Sequence, residues 1–193
     1  MPGWSEALTG PVETVAPRLL GAVLRHGGVA VRITEVEAYD GPHDPASHAH
    51  RGRTPRTEIM FGPPGRLYVY FSYGMHWCSN VVTGPDGQAS AVLLRAGQVV
   101  EGIESARTRR GPRVPASGLA RGPANLASSL GLDRQCNGLD LRYRLVLLDA
   151  LPGPVSTGPR VGVSRAAEVP WRFWLAGDPT VSAYRRGTRL AAG

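Results

Sequence analysis

Residues 66–96, RLYVYFSYGMHWCSNVVTGPDGQASAVLLRA, decide the fold. Arg66–Phe71 is a β-rich run, Ser72-Tyr73-Gly74 a turn, and Met75–Val82 a second run. Gly84-Pro85-Asp86-Gly87 is a second turn and Ala89–Ala96 a third run. Short runs of β-branched and aromatic residues punctuated by Gly, Pro and Asp form strands joined by tight turns, so the stretch predicts a three-stranded meander. Successive side chains alternate in a strand, which puts Tyr68 and Tyr70 on one face and Leu67, Val69 and Phe71 on the other. An aromatic stripe of this kind normally forms half of a core or a cross-strand ladder, and Tyr68 is read so.

Working upstream, Ala16–Arg25 (APRLLGAVLR) places Leu19, Leu20, Val23 and Leu24 on one helical face and predicts a short core helix ended by His26-Gly27-Gly28. Val29–Tyr39 (VAVRITEVEAY) predicts a strand, and the change of phase between Ile33 and Val36 predicts a bulge or the strand's end. Asp40–Gly65 has no period, and so long an irregular stretch in a small domain is usually functional. Downstream, Gly97–Arg107 reads as helical, Arg107–Gly118 as a basic loop and Gly122–Leu130 as a second helix. Leu145–Leu148, Arg160–Val163 and Trp171–Leu175 are short strand candidates. Neither a repeat nor a low-complexity boundary divides the chain, and the class is α+β with a mixed or antiparallel sheet.

The chain has 193 residues, 42% hydrophobic and 19% charged, the balance of one globular domain with a real core. A formal charge of +7 and a pI near 10.2 favour an anionic partner such as nucleic acid. All 22 basic residues counted as Lys or Arg are arginine, which excludes Schiff-base and lyase chemistry by a side-chain amine. Cys78 and Cys136 stand far apart, which argues against a zinc ribbon, an iron–sulfur cluster or a disulfide scaffold and for a reduced, cytoplasmic setting. The opening MPGWSEALTG lacks the pattern of a secretory leader, and no apolar run is long enough to span a membrane.

Glu35 and Glu37 lie two apart on a predicted strand and share a face. Burial would raise such a carboxylate toward neutral, where it serves as a general base to water; exposure or pairing with arginine is the competing reading. His43, His48 and His50, with Asp40, Asp44 and Glu37 nearby, invite a metal-site reading, but the HxxxxHxH spacing fits neither a helix face nor a hairpin ligand set, so no metal is assigned. One of these histidines can still line a pocket and hydrogen-bond a flat ligand. Tyr73, a large ring at a hairpin turn of a basic protein, is a candidate wedge between bases. Arg51, Arg53, Arg56, Arg95, Arg107, Arg109, Arg110 and Arg113 flank the hairpin; most basic runs are only solvated surface, but clusters bracketing an aromatic hairpin favour phosphate binding over that reading.

The ordered blocks TEVEAYDGPHDPASHAHRGRTPR, MFGPPGRLYVYFSYGMHWCSNVV, AVLLRA, RGPANLASSLGL, RVGVSRAAEVPWRFW and DPTVS, together reaching from Leu19 to Ser182, resemble the alkyladenine type of 3-methyladenine DNA glycosylase. The resemblance implies a single α+β domain, core about residues 15–185 within 1–193, with a curved sheet, flanking helices and a projecting DNA-binding hairpin. It implies an enzyme, read as a cofactor-free monomer, that flips alkylated purines out of double-stranded DNA, with deaminated and etheno purines as further candidates; the absence of lysine makes it monofunctional. Hydrolysis of the glycosidic bond then leaves an abasic site. Glu37 matches the family's general base, with Arg95 and the backbone carbonyl of Val161 matching the groups that help hold the attacking water. Tyr39 and His48 match the walls that sandwich the base, Tyr70 completes the pocket, and Asn80 matches the side chain that crowds the purine 2-position. Tyr73 matches the wedge, with Met75 and His76 beside it at the hairpin tip, and Arg53, Arg56, Arg107 and Arg110 are the phosphate contacts. Thr57, His76 and Asn125 depart from the family's usual string. A damage-binding protein without catalysis and a histidine-ligated metallohydrolase are the rival readings; a water-activating carboxylate argues against the first.

Overall fold

The computed structural model describes residues 3–72 and 74–187. Its elements in chain order are α1 (Val12–Val15), β1 (Val23–His26), β2 (Val29–Tyr39), β3 (Leu67–Ser72), β4 (His76–Val82), β5 (Ala91–Glu101), α2 (Ile103–Arg110), β6 (Ala120–Arg121), α3 (Pro123–Leu130), β7 (Leu145–Val146), β8 (Val155–Gly158) and β9 (Arg172–Leu175). The strands form one sheet in the order β3-β4-β5-β2-β1-β7, with β6 beside β5 and the β8–β9 pair attached to β2. Among the described residues every strand pairing in it is antiparallel. The fold is α+β, and the meander read from residues 66–96 is its β3-β4-β5 edge.

β2 and β5 are the long central strands, and their pairing shifts register on either side of Glu35. An extra residue in one strand bends it and increases its twist, so the sheet curls instead of lying flat. Beyond the bulge, Glu35, Val36 and Glu37 pair with β5 on one side and β9 on the other, which removes both glutamates from solvent. Leu19, Leu20, Ile33, Leu94, Leu119 and Leu126 belong to the main core under the sheet and the flanking helices. A second, smaller cluster of Ala49, Met60, Tyr68, Val82, Ala89 and Ala91 lies under the irregular 40–65 stretch. That stretch is ordered through one-turn 3-10 helices at Gly41–His43 and Glu58–Phe61. Among the described residues no helix is long and apolar enough to cross a membrane.

Three expected elements differ. The helix predicted over Ala16–Arg25 stops at Leu19 as a 3-10 turn, and Val23 and Leu24 are strand residues paired to Arg32 and Val31. Short apolar runs fit both periods, and the Gly27-Gly28 pair, at φ +55° and +76°, is a hairpin turn and not merely a helix stop. Gly97–Arg107 is helical only from Ile103, because β5 keeps pairing with β2 as far as Glu101. The break falls at Gly102, whose φ of +72° and close approach to the Gly28 carbonyl exclude a side chain. Arg160–Val163 is not a strand: β8 precedes it, and its backbone and side chains are spent on the site described next.

Candidate active site

Strand register builds the site. Tyr68 of β3 lies opposite Asn80 of β4, Asn80 opposite Leu93 of β5, Leu93 opposite Glu37 of β2, and Glu37 opposite Arg172 of β9. Directly opposed residues in a sheet share a face, so one row of side chains crosses five strands. The first four line a cavity of about 640 Å³. Residues two further along the strands extend the row: Tyr39 after Glu37, Arg95 after Leu93, and Tyr70 after Tyr68. Loops close the sides with His48, Arg56 and the 161–165 segment. The curl of the sheet makes this face concave.

Glu37 lies at the cavity floor, 0% exposed. Its Oε1 accepts a hydrogen bond from Val161 N–H at 2.7 Å, and its Oε2 accepts one from the Tyr39 hydroxyl at 2.9 Å. Arg95 Nε stands 3.5 Å from Oε1. Burial raises the Glu37 carboxyl above the usual range; Arg95, Val161 N–H and Tyr39 act the other way, and the Glu35 charge adds to the rise. The result is a carboxylate with two oriented oxygens and little solvation, the environment of a base. Glu35 is equally buried but is not one of the cavity-lining residues; it accepts from Arg172 Nε at 2.6 Å and from Ser182 N–H at 2.7 Å.

The aromatic groups converge as expected, with some geometry of their own. His48 and Tyr70 meet edge to face at 4.5 Å between centroids, and His48 Nδ1 is 3.1 Å from the Tyr68 hydroxyl. Although one side of His48 is open at the cavity mouth, the surrounding walls and the Arg56 guanidinium lower its imidazole to about 4. It is therefore neutral near pH 7. Burial also pushes the Tyr39 and Tyr70 phenols up, so both remain hydroxyl donors. The Asn80 amide is pinned by donation from Nδ2 to the Tyr68 carbonyl at 3.1 Å.

The hairpin carries Phe71, 47% exposed, and Met75, 66% exposed, with His76 also exposed beside them. Tyr73, the expected wedge, lies outside the described residues. Of the four expected phosphate contacts, only Arg56 reaches the cavity, with its guanidinium 5.5 Å from the Tyr70 ring centre. Arg53 lies over Phe61 at 4.7 Å. Arg107 sits on α2 beside Glu104, and Arg110 Nε donates to the Leu119 carbonyl at 3.0 Å.

Sequence reasoning missed Arg160 and Asp44. Arg160 is 1% exposed, donates through both terminal nitrogens to the Asp44 carboxylate, and lies 4.7 Å from the Tyr39 ring centre and 5.4 Å from that of Trp171. It thus braces the outer face of the Tyr39 wall and anchors the segment that delivers Val161. No local pattern marks such a pair. Its other consequence concerns the metal reading: Asp44 serves Arg160 and His50 Nδ1 faces the Pro42 carbonyl. Among the described residues no three His, Cys, Asp or Glu side chains converge as a metal site would require.

Residues 6–179 match the family model described as methylpurine-DNA glycosylase. The chain is 55% identical over 190 residues to a protein of Streptomyces avermitilis, covering 92% of this chain and 89% of the relative. It is 55% identical over 195 residues to one of Nocardia farcinica, covering 95% and 92%. It is 53% identical over 187 residues to one of Mycobacterium tuberculosis, covering 92% and 91%. All three relatives bear, provisionally, the name 3-methyladenine DNA glycosylase.

Proposed function

Because the chain belongs to the methylpurine-DNA glycosylase family, and is thereby a DNA glycosylase of alkylated bases in DNA repair, we propose that Glu37 drives hydrolysis of an extruded purine nucleotide in the 640 Å³ cavity. The observation that carries this reading is the placement of Glu37: a buried carboxylate with both oxygens oriented, at the floor of a cavity walled by Tyr39, Tyr70 and His48.

A base within a duplex cannot present its glycosidic bond to a buried carboxylate, so the nucleotide is flipped, at least cost where damage has weakened pairing. A purine alkylated at a ring nitrogen carries positive charge, and the rings of Tyr39 and Tyr70 attract it through their π faces. Neutral His48 adds no repelling charge. As the bond from C1′ to the purine nitrogen lengthens, its electron pair moves onto the base, which leaves neutral, while the sugar acquires oxocarbenium character that Glu37 offsets. Water adds to C1′ and gives its proton to Glu37, with Arg95 and the Val161 carbonyl helping to hold that water. The product is an abasic site in an unbroken strand. Asn80, fixed by Tyr68, excludes a 2-amino group and so disfavours guanine. Tyr73, Met75 and His76 fill the vacated stack from the hairpin tip, and Arg53, Arg56, Arg107 and Arg110 bind phosphates. Residues 15–185 work as one domain, as a monomer, on double-stranded DNA in the cytoplasm.

The test is release of free base from duplexes each carrying one lesion: 3-methyladenine, 7-methylguanine, hypoxanthine or ethenoadenine. Release from the alkylated duplexes, with no requirement for added metal, supports the proposal. Tight binding to all four without release of any would leave a damage-binding protein.

A further inference from the structure

Glu35 is the acidic residue of the TEVEAY block to which the mechanism assigns no part. It bears on the reacting region by its charge and through its contact with Arg95. Its Oε1 is 3.0 Å from Arg95 Nε, against 3.5 Å from the same nitrogen to Glu37 Oε1. On its far side Glu35 is fixed by Arg172 Nε at 2.6 Å, Ser182 N–H at 2.7 Å and Ser182 Oγ at 3.0 Å. Arg95 Nε is buried and makes an aligned hydrogen bond with neither carboxylate. Charge, not a directed bond, therefore sets where the guanidinium rests between the two, and the better-anchored carboxylate holds it closer.

We propose that Glu35 is a positioning residue for the base: by drawing Arg95 to its own side it keeps the guanidinium from closing onto Glu37, leaving Glu37 able to take a proton from water. This rests on the reading of Glu37 as the base. A carboxylate in direct contact with a guanidinium is a poor proton acceptor, since an opposite charge at such range lowers its pKa by about 1–3 units. The groups that face Glu37 are Glu35 and Tyr39 from β2, Arg95 from β5, the Tyr70 hydroxyl from β3 and the Val161 N–H from the segment after β8. Arg172 of β9 is opposite Glu37 in register but gives its Nε to Glu35.

The arrangement has a signed consequence. Glu35 acts on Glu37 twice in one direction, by like-charge repulsion and by restraining Arg95. Arg172 offsets Glu35 and so acts in the opposite direction. Glu35→Gln and Arg172→Gln should shift Glu37 oppositely, whereas a general loosening of the buried cluster would shift it the same way in both.

The experiment titrates the ¹³Cδ resonance of Glu37 in the free protein, as found and in both variants, and measures single-turnover base release over the same pH range. Glu35→Gln is expected to lower the Glu37 midpoint by about 1 pH unit or more, Arg172→Gln to raise it, and the acid limb of base release to follow each. An unchanged or raised midpoint in Glu35→Gln, or shifts of one sign in both variants, overturns the proposal. Should Glu35→Gln fail to fold, Arg172→Gln decides alone, since a lowered or static midpoint there is equally contrary. Midpoints that move as expected while the rate limb stays put uphold the hold of Glu35 on Arg95 and sink Glu37 as the base, so the two failures are told apart.

Discussion

Burial of Glu37 at the cavity floor carries a cost in stability. Its carboxyl is raised from the ordinary 4.5 chiefly by burial, so between that value and its folded-state pKa the native protein holds a proton that the unfolded chain does not. Stability therefore falls as pH rises through this window and stays reduced above it. Glu37→Gln removes the penalty, and its thermal midpoint at pH 7 should exceed that of the unmodified protein by a few degrees, given about 2–4 °C per kcal/mol for a domain of this size. Calorimetry at pH 7 and at pH 4.5 checks the sign, for the gain should shrink on acidification. A variant less stable at pH 7 would mean that the bonds from Val161 and Tyr39 outweigh the desolvation. The role proposed for Asn80 is exclusion by shape, so Asn80→Ser should open space for a 2-amino group and raise release of undamaged guanine by about tenfold or more. An unchanged guanine background in the base-release assay would move selectivity to flipping or stacking.

At the level of elements, the site depends on two irregular segments tied together by Arg160 and Asp44, 116 residues apart in sequence. Removing one partner of a buried ion pair typically costs about 3–5 kcal/mol because the other charge is left unpaired. Asp44→Asn should lower the thermal midpoint by about 10 °C and slow base release by loosening Tyr39 and Val161, which chemical denaturation and single-turnover rates measure together. A loss under about 1 kcal/mol would show that the two segments hold without the pair. The β3-β4-β5 meander was legible in the sequence because each strand is bounded by its own turn residues, and β2 because its β-branched run is long enough to show the bulge. Val23 and Leu24 were not, since a four-residue strand carries no period and only pairing with β2 decides its state. Arg160 was misleading for a different reason. An arginine before Val-Gly-Val looks like the start of an edge strand, and nothing local reveals that its guanidinium is satisfied by a distant aspartate. In the candidate site, the strand residues Glu37, Tyr39, Tyr70, Asn80 and Arg95 line one cavity, a grouping that the resemblance implied and that strand alternation makes possible. Those whose role comes from loops crossing in space, Arg160 and Asp44, had no such pointer.

Over the whole molecule, the formal charge of +7 is carried without a single lysine. A glycosylase that also cuts the strand attacks C1′ with an amine and forms a Schiff base, so this chain should release base and leave the backbone intact until alkali or heat is applied. Borohydride added during turnover should trap no protein–DNA adduct; a trapped adduct at neutral pH would replace water with the α-amino terminus as nucleophile. The arginines should also make affinity for undamaged duplex fall steeply with salt while the chemical step, measured at saturation, stays level. The proposed chemistry rests on one carboxylate at the cavity floor. The most direct test of it compares Glu37→Gln with the unmodified protein on a duplex bearing a single 3-methyladenine, reading single-turnover base release and equilibrium binding on the same preparation. Release should fall by several orders of magnitude while binding is retained. Comparable release in the variant would contradict Glu37 as the group that activates water.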